Sequence, residues 1–257
     1  MYSGDIWKDY SERGERTAKT FPVLNRVCQH ALSSMWLMKN RLMTALLQLG
    51  EELPPQQQFI SIYFMRNITY LQSAYLLSYG GYCAPSRDLE RTLYETILRG
   101  YLFIANEDEA NLMYECIEGT ASPERKEMLR KRKFWPFEFM IKQLYLEDSR
   151  KLHRQLFQEL SYSSHPSIKS VVPDLEYRED QVRDGLKMIL SLIYGTIQMM
   201  TECFFHLLDS EFKDIIKASL TEIADLLGEI PLFEPNKPDM VSKIRFKKGN
   251  FLTILND

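Results

Sequence analysis

Four stretches of this chain repeat apolar residues at the three- and four-residue spacing of a single helix face. They run from about Thr20 to Leu49, Gln56 to Tyr79, Ser86 to Ile104 and Glu179 to Leu208. That period requires α-helix, because side chains advance about 100° per residue and only a helix keeps such a set on one stripe. A stripe must be buried against something. Pro54 and Pro55 separate the first pair, and Gly80, Gly81 and Pro85 separate the second from the third, with Ser86 placed to cap the new helix. Connections this short favour antiparallel neighbours. The expected fold is all-α, a bundle of about four long antiparallel helices with shorter ones added. Shorter pieces lie between Asn106 and Ser161, broken by Gly119, Pro123 and Pro136, and another spans about Glu211 to Leu227. Strand-like alternation occurs only near the end, where Lys243 to Lys247 and Phe251 to Leu255 flank Gly249-Asn250. This predicts a small hairpin or an extended tail. The expected organisation is one helical domain over 1–230, followed by a Pro231 to Pro238 linker and a C-terminal appendage within 231–257.

A chain of 257 residues with 45% hydrophobic side chains can build a large single core. Thirty-two basic against thirty-five acidic side chains give a formal charge of −3, which excludes a general electrostatic pull toward nucleic acid or anionic lipid. Cys28, Cys83, Cys116 and Cys203 lack metal or redox spacing and fall in or beside apolar helical patterns, so buried free thiols are expected. Residues Met1 to Lys19 carry no apolar core of a secretory signal. The uncharged run Met188 to Thr201 is shorter than the roughly 20 residues of a spanning helix, and Asn67 to Ser86 is too polar. A cytoplasmic protein without a membrane partner is expected.

Chemistry-bearing residues concentrate in two places. On the third helix, Arg87, Arg91, Glu95 and Arg99 follow one another at i+4 and share an arc with Leu98 and Leu102, while Leu89, Leu93, Ile97 and Tyr101 cover much of the opposite side. The helix is apolar nearly all round, so it belongs inside a bundle, and its charges must find partners or a wet cleft. Arg66 stands among Ile62, Tyr63, Phe64, Met65 and Ile68 and is expected to snorkel to solvent, with an internal polar cluster as its other choice. The second place is the loop Ser161-Tyr-Ser-Ser-His165-Pro166-Ser167. His165 titrates nearest neutrality and, preceding a proline, stays out of regular helix.

Weaker signals accompany these. Glu202 and His206 share a face at i+4, but a second Glu-x-x-His pair is missing, so no metal site is expected. The basic run Arg125 to Lys133 leads into Phe134, Trp135 and Phe137, a pairing able to hold phosphates and stack bases, with an acidic stretch upstream at Glu107 to Glu118 that would face it across a hairpin.

Two segments together resemble a known group. Leu76-Leu-Ser-Tyr-Gly-Gly-Tyr82 leading into Arg87-Asp-Leu-Glu-Arg91-Thr-Leu-Tyr-Glu95, and later Leu160-Ser161 with His165-Pro166-Ser167, are similar to prokaryotic all-helical proteins with an Arg-x-x-x-Glu helix and a Leu-Ser-x-x-x-His-Pro-Ser motif. That group is distantly related to the HEPN and abortive-infection class. The resemblance implies a defence or stress protein acting on RNA or a nucleotide without metal or cofactor, often as a homodimer. His165 would then be the acid or base, Arg91 would stabilise the developing phosphorane, and Glu95 would orient one of them. Arg87, Ser161, Tyr162 and Ser164 would bind substrate. The class motif of an arginine four to six residues before the histidine is missing, since ten residues separate Arg154 from His165. The alternative expectation is a non-enzymatic helical binding or interaction module with a buried Arg/Glu/His polar cluster.

Overall fold

The computed structural model describes residues 5–49, 53–131, 136–162, 176–228, 233, 235–241 and 243 of the chain. These residues form eleven α-helices and one 3-10 turn, with no strand among them. In chain order the helices are α1 (Ile6–Thr20), α2 (Pro22–Leu49), α3 (Pro55–Tyr79), α4 (Cys83–Ala105), α5 (Glu107–Ile117), α6 (Pro123–Lys131), α7 (Phe137–Leu144), α8 (Glu147–Tyr162), α9 (Glu179–Phe204), α10 (Ser210–Leu227) and α11 (Pro238–Val241); the 3-10 turn, Phe205–Leu207, follows α9. The fold is all-α. The hairpin or tail expected after Lys243 lies outside the described residues.

The four long periodic runs are α2, α3, α4 and α9. Packing is densest among three of them, α3, α4 and α9, while α2 lies against α3 and α9 and carries α10 on another side. α4 is the hub: α5, α7 and α8 also pack on it. Its sequence explains this position, because Leu93, Ile97, Leu98, Tyr101 and Leu102 are all fully buried and cover more than one face. Each such side chain contributes roughly 1.5–3 kcal/mol when withdrawn from water. The extended helical stretch Glu179–Leu207 is the one described helix long and apolar enough to cross a membrane, and 78% of its apolar window is buried inside the protein. Cys28 and Cys83 are buried, Cys116 and Cys203 are half-buried, and none of the four is joined in a disulfide.

The charged segment before Thr20 has no apolar stripe to announce a helix, yet it forms α1. Asp5 caps it by accepting from the Trp7 amide at 3.1 Å. Docking is through polar aromatic contacts: the Tyr10 hydroxyl donates to the Leu76 carbonyl at 3.0 Å and Thr17 Oγ1 donates to the Tyr79 carbonyl at 2.8 Å. The α3–α4 connection turns at Gly81, whose φ of +76° suits a residue without Cβ. Ser86, expected as a cap, lies inside α4, which begins three residues earlier at Cys83. Pro123 opens α6 and Pro136 precedes α7, as breakers should. Within the segment expected as a linker, Phe233 is 1% exposed, Tyr145 donates its hydroxyl to the Phe233 carbonyl, and the amides of Asn236 and Lys237 donate to the Leu144 carbonyl at 3.0 and 3.2 Å.

Candidate polar site along helix α4

Arg91 and Glu95 are one turn apart on α4, and the guanidinium Nε donates to Glu95 Oε1 at 3.2 Å. Both side chains are about one third exposed, at 32% and 31%. The Arg91 guanidinium also lies 4.6 Å from the ring centroid of Phe157 on α8, and that ring stacks on Phe137 of α7 at 3.9 Å. The charge is thus held by a carboxylate on its own helix and by an aromatic face from the next layer. One turn beyond Phe157, Ser161 Oγ donates back to the Phe157 carbonyl at 2.6 Å, the ordinary i−4 bond of a helical serine. Tyr162 is the last residue of α8. Arg87 is half-buried near the start of α4, and its charge acts on Glu90. Ser164 and His165 lie outside the described residues. The structure therefore brings Arg91 and Glu95 together, with Phe157 of α8 against the guanidinium.

A second constellation involves residues that the sequence did not single out. Tyr94 is fully buried, and its hydroxyl shares a short hydrogen bond with Nδ1 of His153 on α8. His153 is 6% exposed and stacks on Tyr145 at 3.9 Å, while the edge of Phe233 closes the cluster beside Tyr94 at 5.7 Å. Burial disfavours the imidazolium and lowers the His153 pKa from 6.5 to about 4. The same desolvation pushes the Tyr94 hydroxyl upward. The pair is neutral at physiological pH.

Glu90 faces the other way, toward α3 and α9. Ser86 Oγ lies 2.8 Å from Glu90 Oε1, receives a bond from Ser78 Oγ at 2.9 Å, and reaches the Ala74 carbonyl at 3.0 Å. One hydroxyl proton can serve only one of those two acceptors. A protonated carboxyl supplies the other, and burial raises the Glu90 pKa from 4.5 to about 7, with the Ser86 bond and the Arg87 charge opposing. Glu90 Oε2 has no hydrogen-bond partner. Gly185 of α9 lets that helix come close, since a Cβ there would stand 2.8 Å from Ser78 Oγ.

Arg66 corrects an expectation. Its half-buried side chain turns inward instead of extending freely into solvent: Nη2 donates to Thr96 Oγ1 of α4 at 2.6 Å, and the guanidinium lies 5.6 Å and 5.5 Å from the Tyr63 and Tyr70 ring centroids. Thr96 sits directly across the α3–α4 interface, so an acceptor lies within the reach of the inward-turned guanidinium. His206 falls on the exposed 3-10 turn, while Glu202 is buried within α9; the helix tightens between them. Among the described residues no group of three or more metal-ligating side chains gathers. The acidic and basic runs do meet, Arg125 pairing with Glu115, and Phe137 and Phe139 pack against the core. Both rings are half-buried; Trp135 lies outside the described residues.

The sequence matches no family model, and neither a curated protein nor a solved structure is significantly similar to it.

Proposed function

We propose that the helical body is a non-enzymatic binding module in which α4 is a polar spine within an apolar bundle. The observation that carries this reading is the closed state of the proton-transfer groups along α4: His153 is sealed against Tyr94, and Arg91 is held by Glu95. A general acid or base must reach its substrate within hydrogen-bond distance, which an imidazole closed off from solvent and bonded to Tyr94 does not do. Internal polar contacts of this kind fix which helix faces which, because a slipped register leaves them unsatisfied in a low dielectric.

A second reading, favoured by one observation, keeps metal-independent chemistry on RNA or a nucleotide. Arg91 lies over Phe157, near the end of α8 that leads into Ser161, Tyr162, Ser164 and His165. In that reading His165 is the acid or base, Arg91 stabilises the phosphorane and Glu95 orients it. Incubation of the purified chain with pooled RNA in chelator, beside His165→Ala and Arg91→Ala, separates the two. The binding reading expects no cleavage. Cleavage that disappears in both variants would overturn it.

A further inference from the structure

Arg66 on α3 and Arg99 on α4 converge on one tyrosine. Tyr63 is 5% exposed; the Arg66 guanidinium lies 5.6 Å from its ring centroid, and the ring stacks at 6.2 Å on Phe103, one turn beyond Arg99 on α4, so that both positive charges act on its hydroxyl. The Arg99 side chain comes within hydrogen-bond reach of that hydroxyl oxygen, but the hydroxyl itself donates to no acceptor, and neither do Nε of Arg66 and Nε of Arg99. Among the described residues no carboxylate forms an ion pair with either guanidinium; Glu95, one turn from Arg99, is engaged by Arg91 at 3.2 Å. The two arginines are half-buried. Like charges held around one buried hydroxyl repel, and a guanidinium partly withdrawn from water is unfavourable without a counter-ion. A fold that keeps both has a use for the positive field.

We propose that Arg66 and Arg99 form a binding site between α3 and α4 for the phosphate group of a small ligand. A phosphate monoester carries close to two negative charges at neutral pH and so balances two guanidiniums, whereas a carboxylate balances one. Its oxygens also accept the forked donors that distinguish arginine from lysine. The Tyr63 hydroxyl supplies one more donor without a present acceptor. Thr96 holds the Arg66 head in place, and Tyr70 lies half-buried beside it. The Arg91–Glu95 pair one turn away is already neutral and needs no anion. As the ligand class of the binding module, the site rests on the reading above.

Isothermal titration of the full chain at pH 7.5 tests the site, using potassium phosphate, adenosine 5′-monophosphate and, at matched ionic strength, potassium acetate. Saturable heat is expected with the first two and none with acetate. Arg66→Gln and Arg99→Gln should each weaken binding about tenfold, and Tyr63→Phe about threefold, since charge-assisted bonds outweigh neutral ones. Where a glutamine variant loses helical circular dichroism, the corresponding Arg→Lys variant is read instead, with a smaller loss expected. Tighter binding of the nucleotide than of phosphate assigns the ligand to nucleotides, and equal binding assigns it to the phosphate group alone. Absence of saturable binding, an equal response to acetate, or unchanged affinity in the folded arginine variants would overturn the site. The two failures stay distinct, because RNA cleavage dependent on His165 would overturn the non-enzymatic reading while phosphate binding by the same arginines persisted.

Discussion

The Tyr94 hydroxyl and Nδ1 of His153 form one hydrogen bond inside the protein, bridging the hub helix α4 to α8 across 59 residues of sequence. Whichever atom donates, the other is its one hydrogen-bond partner among the described residues, in a site packed by Tyr145, Phe137 and Phe233. Tyr94→Phe keeps the ring and removes the hydroxyl. It leaves a buried imidazole nitrogen unpartnered, at a cost of about 1–3 kcal/mol. Urea unfolding at pH 7.5 measures this, and a loss below the lower bound would mean that water replaces the hydroxyl.

Stability against pH follows from two buried groups with opposite signs. The unfolded His153 imidazole takes a proton at 6.5 and the folded one only at about 4, so the unfolded chain holds more protons between these values. Stability from this group is complete above 6.5 and declines as pH falls, by about 3 kcal/mol at the end of the window. Glu90 acts in reverse, because its folded pKa of about 7 lies above the ordinary 4.5. Its contribution is complete below 4.5 and is lost as pH rises through 7, again by about 3 kcal/mol. Between 4.5 and 6.5 the two nearly cancel and the wild type should show a flat profile. Glu90→Gln removes one of them, so its urea midpoint should fall steadily with acid over that range; a profile as flat as the wild type's would refute the assignment.

The Arg91–Glu95 pair should matter less than its central position suggests. Both groups are one third exposed, so solvent screening limits their coupling to about 0.3–0.5 kcal/mol, typical of an i,i+4 pair on a helix surface. Arg91 also covers the Phe157 ring, which adds about 0.5–1 kcal/mol. A double-mutant cycle is expected to show Arg91→Ala costing more than Glu95→Ala, with the difference abolished in a Phe157→Leu background. Equal costs would mean that the aromatic contact contributes nothing.

The long helices were legible because their apolar stripes are longer than any competing signal. α1 was not, since it is held by Tyr10 and Thr17 hydroxyls meeting main-chain carbonyls of α3, and such contacts leave no periodic trace. Glu90 was readable and passed over. At about 100° per residue it falls between Ile97 and Tyr101 on the wheel, in the middle of the apolar face, where a lone carboxylate must be buried. His153 was readable in the same way, since on the α8 wheel it falls between Leu160 and Phe157 on that helix's one apolar stripe, although only the fold places its ring against Tyr94. Arg91 and Glu95, which the i+4 spacing marks most plainly, lie on the more exposed side of α4. Arg66 was placed at the surface because a long stem allows it, a rule that ignores what the neighbouring helix presents.

Gly185 offers the sharpest check on how α9 is seated. A Cβ at this position would stand 2.8 Å from Ser78 Oγ and 3.8 Å from Glu90 Oε1, the first being closer than real contacts of that kind. Alanine is the better helix former by about 1 kcal/mol, so Gly185→Ala would stabilise α9 if space allowed. Here the Ser78 hydroxyl must turn away, breaking its bond to Ser86 and leaving the Glu90 cluster short of a donor. The net change expected is a loss of about 1–3 kcal/mol. Because the obstacle is one oxygen atom, Ser78→Ala in the same chain should remove it. The double variant should then be more stable than the sum of the two single losses predicts, by about 1 kcal/mol or more. Strict additivity in thermal or urea unfolding would place the Gly185 constraint in the backbone of α9 instead of in its contact with the serine.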